Sequence, residues 1–186
     1  MYRLTGGNVL IDSGLIIKKA GISDKMKVAD LGCGALGHFV FPTAKIVGKK
    51  GKMYAVDILK TILENIQKRS KQEGLDNIIE TIWTDLEVFG ATTKIESGSL
   101  DVAMLINTLY QSHKRVEILR ESIRMLKKDG KLLIVEWESI ATPLGPPAEE
   151  RVKSESLISA APKLGLKLEE EFEAGQYHYG LIFTKL

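Results

Sequence analysis

One stretch constrains this chain more than any other: Val28-Ala29-Asp30-Leu31-Gly32-Cys33-Gly34-Ala35-Leu36-Gly37. A short apolar run enters three glycines spaced G-x-G-x-x-G, and a helical pattern follows. Glycines allow a tight turn and a close backbone approach to a ligand at the helix N-terminus. A strand–turn–helix unit of this kind buries its faces inside a layered α/β domain. Asp57 lies 20 residues beyond Gly37, at the end of the next apolar run, Lys52–Asp57. A carboxylate there is placed to accept hydrogen bonds from the two hydroxyls of a ribose. Together the loop and the acid point to a nucleoside-containing cofactor.

The rest of the chain repeats the same alternation. Val9–Ala20 reads as a helix, with Leu10 and Ile17 a heptad apart, and Lys27–Leu31 as the first strand. Phe39–Val47 reads as a helix with Pro42 in its first turn, where a missing N–H costs little. Thr61–Gln72 sets Ile62, Leu63 and Ile66 against Lys60, Glu64 and Lys68, an amphipathic helix. Asn77–Trp83 and Leu100–Ile106 are strands around an irregular Thr84–Ser99. Lys114–Leu126 is a helix with Val116, Leu119, Ile123 and Leu126 on its apolar face, ended by the turn Lys128-Asp129-Gly130. Lys131–Trp137 is the fifth strand. Ser139–Pro147 is a Pro-rich loop, and Val152, Leu157, Ile158, Ala161 and Leu164 suit a helix.

Leu166–Phe172 and Tyr177–Thr184 are separated by Glu173–Gln176. So short a link makes an antiparallel hairpin, not a parallel crossover. The expected fold is therefore α/β, a Rossmann-like seven-stranded sheet flanked by helices with only the last strand antiparallel. A single domain over residues 1–186 is expected. Within it, 1–24 form an N-terminal helical segment, 25–138 the cofactor-binding βα units, and 139–186 a lid loop, helix and closing hairpin.

The 186 residues are 44% hydrophobic and 27% charged, ordinary usage for a globular domain. A net charge of +2 does not announce a nucleic-acid or membrane binder. Apolar runs such as Val102–Ile106 are far short of a membrane span. The start, MYRLTGGNVLIDSG, lacks the apolar stretch of a secretory signal. The single cysteine, Cys33, precludes an intrachain disulfide and zinc sites built on paired cysteines. His38, His113 and His178 are too scattered for a metal motif, so no metal is expected. The expected location is cytoplasmic.

Asp30 decides between cofactors. A dinucleotide would bring its pyrophosphate to this loop, and a carboxylate two residues before Gly32 would repel it. The same carboxylate suits a cationic ammonium. S-adenosylmethionine offers an ammonium, a ribose diol and a sulfonium, and so satisfies Asp30 and Asp57 together.

On VADLGCGALG (28–37), YAVDI (54–58), TDLE (84–87), SLDVAMLINTLYQ (99–111) and LKKDGKLLIVEW (126–137), the chain resembles the class I S-adenosylmethionine-dependent methyltransferases. The usual loop of that family is one residue shorter before its last glycine. The resemblance implies that Gly32 and Gly34, with Gly37 closing the loop, line the methionine part of the cofactor. It implies that Asp30 acts on the ammonium through water and that Asp57 holds the ribose hydroxyls. Ile58 would pack on the adenine, Asp85 accept from its amino group, and Leu86 offer a backbone N–H to the ring. Asn107 would sit nearest the methyl group and substrate. Each acid also has a plainer reading: Asp30 and Asp57 as caps, Asp85 as a turn residue.

The implied function is methyl transfer to a small-molecule acceptor. RNA or protein methylation is the alternative, followed by an NAD-dependent oxidoreductase or a binding module without turnover. The near-neutral charge and the lack of an appended RNA-binding domain weigh against nucleic acid. For catalysis, His178 opens the last strand at the ligand edge of the sheet, as base or substrate contact. Its competing reading is a buried structural histidine. Cys33 at the helix start is a candidate thiolate or a small packed side chain. Glu136 and Glu138, ending strand five, either face substrate or are solvated.

Overall fold

A computed structural model describes residues 10–140, 142 and 144–186. The elements are α1 (Ser13–Lys19), β1 (Lys27–Leu31), α2 (Val40–Val47), β2 (Lys52–Asp57), α3 (Lys60–Gln72) and β3 (Ile79–Trp83). They continue with β4 (Leu100–Ile106), α4 (Arg115–Met125), β5 (Leu126–Trp137), α5 (Ser154–Ala160), β6 (Leu166–Gly175) and β7 (His178–Lys185). The seven strands form one sheet ordered β3-β2-β1-β4-β5-β7-β6. Strands β1 to β5 pair in parallel, and β7 runs antiparallel between β5 and β6. The expected Rossmann-like architecture is the observed one. The strand order reverses between β1 and β4, the place where open α/β sheets bind ligands.

Each sheet face packs its own apolar layer. On one, α1, α2 and α3 bury Ile16, Ile17, Phe41, Leu63 and Ile66 against Met53, Met104 and Leu133. On the other, α4 and α5 bury Ile118, Leu119 and Leu157 against Leu105, Ile134 and Leu181. Strands β1, β4 and β5 are buried on both faces, which is why they read as continuous apolar runs.

Several boundaries move for local reasons. Helix α1 starts at Ser13, since Asp12 caps it by accepting from the N–H groups of Gly14 (2.8 Å) and Leu15 (3.2 Å). Val9, expected to open that helix, lies outside the described residues. The turn at Lys128–Gly130 does not end the helix ahead of a new strand. It is a bulge within β5, which pairs Leu126 with Leu100 and then Lys131 with Val102, Asp129 turning at φ 61. The closing hairpin is tighter than expected: β6 runs to Gly175 and β7 begins at His178, leaving only Gln176 and Tyr177 to turn.

The apolar face of α4 is also rotated from the expected one. Val116 is 46% exposed, while Ile118, Leu119, Ser122 and Met125 are buried. The cause is Glu121, fully buried on the same side. It accepts from the N–H of Gly90 (2.7 Å) and Thr92 (3.0 Å) and pairs with Arg124 (2.8 Å), tying the irregular 84–99 segment to the helix. Those bonds outweigh burial and hold its carboxyl down at about 2. Glu121→Ala is expected to destabilise the fold by about 2–4 kcal/mol, leaving two N–H groups without their acceptor and Arg124 without its carboxylate partner. Because the folded value is depressed, the contribution of Glu121 is present above the unfolded value near 4.5. It fades as pH falls towards about 2. Urea unfolding at pH 7 and pH 3 checks both points, and an unchanged midpoint at pH 7 contradicts the role.

Candidate cofactor and substrate site

The glycine loop lies between the carboxyl ends of β1, β2 and β4. Gly32 and Cys33 both donate to the Val56 carbonyl, at 2.8 and 3.0 Å, pinning the loop to β2. The Thr108 hydroxyl donates to the Leu31 carbonyl (2.9 Å), pinning β4 to the end of β1. A Cβ on Gly32 would lie 2.7 Å from that hydroxyl oxygen. A Cβ on Gly37 would meet Ile66 at 2.6 Å and Phe41 at 2.8 Å, so this glycine lets α2 pack close to α3. All three glycines have positive φ, but only at Gly34 does nothing lie within 4 Å of where a Cβ would stand. Its bare backbone faces open space at the switch point.

Two carboxylates flank this loop. Asp57 accepts from the Gly34 N–H through Oδ2 (3.2 Å) and from the Leu59 N–H through Oδ1 (2.9 Å). It ties the glycine loop to the turn that leads into α3, whose N-cap is Leu59, so Asp57 is not the helix cap of its plainer reading. Asp30 is buried on β1, and its Oδ2 has no hydrogen-bond partner among the described residues. Burial first, and the Asp57 charge second, push its carboxyl up to about 7. A buried carboxyl with one oxygen unpartnered, beside an open glycine backbone, bears its negative charge at a cost unless a cationic ligand meets it. That feature of the chain fits S-adenosylmethionine, whose ammonium Asp30 would face and whose ribose Asp57 would hold.

The remaining predicted residues surround the same edge. Ile58 is 56% exposed, an apolar side chain held at the surface next to Asp57. The Trp83 indole N–H donates to the Ile58 carbonyl (2.9 Å) and fixes that turn. Asp85 accepts from the Glu87 N–H (2.9 Å), the turn role that was its plainer reading, and Leu86 is buried. Asn107 ends β4 at φ +54, buried, its N–H donating to the Val135 carbonyl (2.8 Å). Asn tolerates that left-handed conformation better than most residues. Cys33 is buried with its thiol pushed well above the usual range, chiefly by desolvation and then by Asp30, so it carries no reactive thiolate.

Strand β5 supplies two acids with different fates. Glu138 is half-buried at the strand end. Glu136 neither faces solvent nor lines an open surface: it is fully buried, and its Oε1 accepts from the Leu109 N–H (2.6 Å). Desolvation raises it to about 8 against the lowering effect of these backbone donors. It anchors the turn that follows Asn107.

His178 faces the α1 side of the sheet, opposite Trp137 across the β5–β7 pair. It is fully buried, its ring centroid 4.2 Å from that of Trp137. Neither ring nitrogen has a hydrogen-bond partner among the described residues. Burial, then the nearby Arg151 charge, lower its pKa to about 4, so the ring is neutral at neutral pH. A cavity of about 620 Å³ is lined by residues of the α1 start, the end of β5 and the hairpin, including Leu15, Glu138, Ile140 and Gly175, and His178 is not among its described lining residues. A Cβ placed on Gly175 would be 4.0 Å from His178 Nδ1.

Arg151 is a residue that sequence reasoning missed. It is buried, and its guanidinium donates to the carbonyls of Glu138 (2.9 Å), Leu144 (3.0 Å) and Pro146 (3.0 Å), and to that of Ile140. This one side chain folds the Pro-rich loop over Trp137, where a Cβ on Gly145 would be 2.7 Å from the indole. Clustered prolines signal a loop, but no pattern signals which cation organises it. Among the described residues no group of acids, histidines or cysteines is arranged to hold a metal, and no helix is long and apolar enough to cross a membrane.

Comparison with known proteins agrees with this geometry. The chain is similar to a crystal structure of an S-adenosylmethionine-dependent methyltransferase from Aquifex aeolicus. That match has TM-score 0.86 and 23% identity, over 99% of this chain and 95% of that one. An O-methyltransferase from neocarzinostatin biosynthesis, solved with S-adenosyl-L-homocysteine and 1,4-dihydroxy-2-naphthoic acid, matches with TM-score 0.74. It is 17% identical, over 95% of this chain and 54% of that one. In sequence, a ubiquinone/menaquinone biosynthesis C-methyltransferase from Laribacter hongkongensis is 27% identical over 94% of this chain and 66% of its own length. The chain spans between about half and two thirds of the length of the first such relatives, at 66%, 48% and 61%. The methyltransferase domain profile matches residues 22–175. The chain belongs to the methyltransferase domain family and has the class I methyltransferase fold.

Proposed function

We propose that the protein transfers a methyl group from S-adenosylmethionine to a small-molecule acceptor held in the cavity between α1, the end of β5 and the hairpin. The observation that carries the reading is that cavity, about 620 Å³ and bounded by α1, the end of β5 and the hairpin. It lies within the volume range of small-molecule sites. When bound, S-adenosylmethionine would supply a methyl activated on a sulfonium: an acceptor lone pair would bond to that carbon as the carbon–sulfur bond breaks, with S-adenosylhomocysteine as the leaving group. What the chain contributes is orientation and exclusion of water. Asp30, Gly32, Gly34 and Gly37 hold the methionine portion, Asp57 the ribose, and Ile58, Asp85 and Leu86 the adenine. Asn107, directly after β4, would sit nearest the methyl group and acceptor. His178, neutral and buried behind Gly175, is the candidate base for the acceptor's proton, a role that needs the hairpin to open towards the cavity.

Calorimetry on the full chain is expected to show binding of S-adenosylmethionine and S-adenosylhomocysteine and no comparable binding of NAD. Asp57→Ala should cost about 1.5–3 kcal/mol of that affinity, the worth of hydrogen bonds to a charged acceptor. An unchanged affinity would mean that Asp57 only braces the loop. Transfer of labelled methyl to pooled metabolites, but not to RNA or protein, is the expected result of a substrate screen. Labelling confined to a macromolecule overturns the small-molecule reading.

A further inference from the structure

Glu136 is an acid buried inside an apolar layer. It lies one residue before the end of β5, on the face that carries Ile134 and, across the β5–β7 pair, Tyr179. Its Oε1 accepts from the Leu109 N–H (2.6 Å), and the adjoining N–H groups of Thr108 and Tyr110 act on the same carboxyl. Consecutive backbone donors of the turn after β4 thus converge on one side chain. Sheet pairing does not require this, since β4 and β5 are already in register from Val102 to Ile106. Burial outweighs the donors and raises the carboxyl to about 8, so the neutral acid prevails at neutral pH. In that form it accepts these bonds without holding a buried charge.

The same turn touches the cofactor loop on its other side. The Thr108 hydroxyl donates to the Leu31 carbonyl (2.9 Å). The Thr108 side chain fills the space over Gly32, where a Cβ would stand 2.7 Å from Oγ1 and 2.9 Å from Cγ2. Asn107, at φ +54, is braced within the turn by the Gln111 amide, which donates to its carbonyl (2.7 Å). An unbroken series of contacts therefore runs from Glu136, through the backbone of the turn and the Thr108 side chain, to the first glycine of the loop.

We infer that Glu136 is a positioning residue for the cofactor: from β5 it fixes the turn that carries Asn107 and seats Thr108 against Gly32, and so sets the affinity of the glycine loop. This rests on reading that loop as the site of S-adenosylmethionine. The competing reading is a purely structural acid, whose loss costs stability and leaves the affinity of each folded molecule unchanged.

The test is calorimetry of S-adenosylhomocysteine with the full chain and two variants. Glu136→Gln keeps an acceptor oxygen and mimics the neutral acid, whereas Glu136→Leu keeps the bulk and removes the acceptor. Glu136→Gln is expected to bind within about threefold of the unmodified protein, and Glu136→Leu at least about tenfold more weakly, as for lost buried hydrogen bonds. Stoichiometry in the same titration counts folded molecules, so a structural loss lowers stoichiometry or melting temperature and leaves the dissociation constant as it was. An unchanged dissociation constant in Glu136→Leu, or an equal loss in Glu136→Gln, overturns the inference.

Hydrogen exchange on the unmodified protein reads the same coupling if Glu136→Leu does not fold. The Leu109 amide is buried and committed to Glu136, so a bound ligand does not contact it. Its exchange is expected to slow about fivefold or more when S-adenosylhomocysteine binds, because coupling between two sites is reciprocal. Unchanged exchange at Leu109 with the ligand bound overturns the inference. An unmodified chain that does not bind S-adenosylhomocysteine overturns the cofactor reading and the inference with it. Equal binding by all three proteins leaves the cofactor reading standing and removes the inference alone.

Discussion

Asp30→Asn is expected to make the protein more stable and its cofactor binding weaker. The folded carboxyl titrates at about 7 against 3.8 for the free group, because burial and Asp57 both disfavour its charge. The folded state therefore keeps a proton that the unfolded chain releases. Sign follows from linkage: wild-type stability falls as pH rises from about 4 to about 7, and above that it carries the full cost of a buried charge. At about 1.4 kcal/mol per pH unit, that cost is about 4 kcal/mol, of which the neutral amide should recover about 2–4 kcal/mol at pH 8. Urea unfolding of both proteins at pH 5 and pH 8 reads this directly. The variant should gain at pH 8 and little at pH 5. Cofactor affinity should fall by about tenfold to a hundredfold, as expected for a lost charge-assisted contact. Normal S-adenosylmethionine binding by the Asp30→Asn variant makes Asp30 a structural residue and removes the ammonium argument.

The second large effect is at His178. His178→Ala is expected to lower kcat by about 10²–10⁴-fold with S-adenosylmethionine affinity nearly intact. His178→Asn should retain part of the activity, since its amide can hold a substrate but cannot take a proton. From sequence, a pH limb near 6.5 is expected, but in the structure burial and Arg151 move it to about 4. Turnover that rises through pH 4 and is flat above pH 6 is the expected profile, and a limb near 6.5 that vanishes in the variants would place the ring in a wetter setting. The same shift makes a stability statement. The folded state resists protonating this ring, so stability is lost as pH falls from about 6.5 to about 4, by about 3 kcal/mol. If both variants lose melting temperature while activity per folded molecule survives, His178 is a structural residue and its catalytic assignment fails.

Much of the fold was legible because it depends on local or strictly periodic information. Strands β1, β2 and β4 lie where their apolar runs predict, because each run is short, rich in β-branched and aliphatic residues, and bounded by turn-forming or polar residues. The hairpin followed from connection length alone. The glycine loop and the acid closing β2 were legible because a backbone-mediated site needs glycine at set spacing, and a β-strand delivers its last residue to one edge of the sheet.

Tertiary structure decided what depends on partners distant in the chain. Glu121 looks like a solvent-facing helix residue until Gly90 and Thr92, about 30 positions away, turn it inward and rotate the face of α4. Glu136 reads as solvated or substrate-facing until the Leu109 N–H claims it. Arg151 is one of several surface-type cations in sequence, yet its donors find the carbonyls of a loop that no periodicity describes. His178 could be placed at the right edge and on one face by alternation, but its burial and its depressed pKa arise from Trp137 and Arg151, which only folding brings beside it. Sequence thus determined the layers, the strand edge and the cofactor loop, which follow from periodicity and backbone geometry. Burial of individual charges and the shape of the acceptor cavity depend on non-local hydrogen bonds and desolvation, and those exist only once the chain has closed.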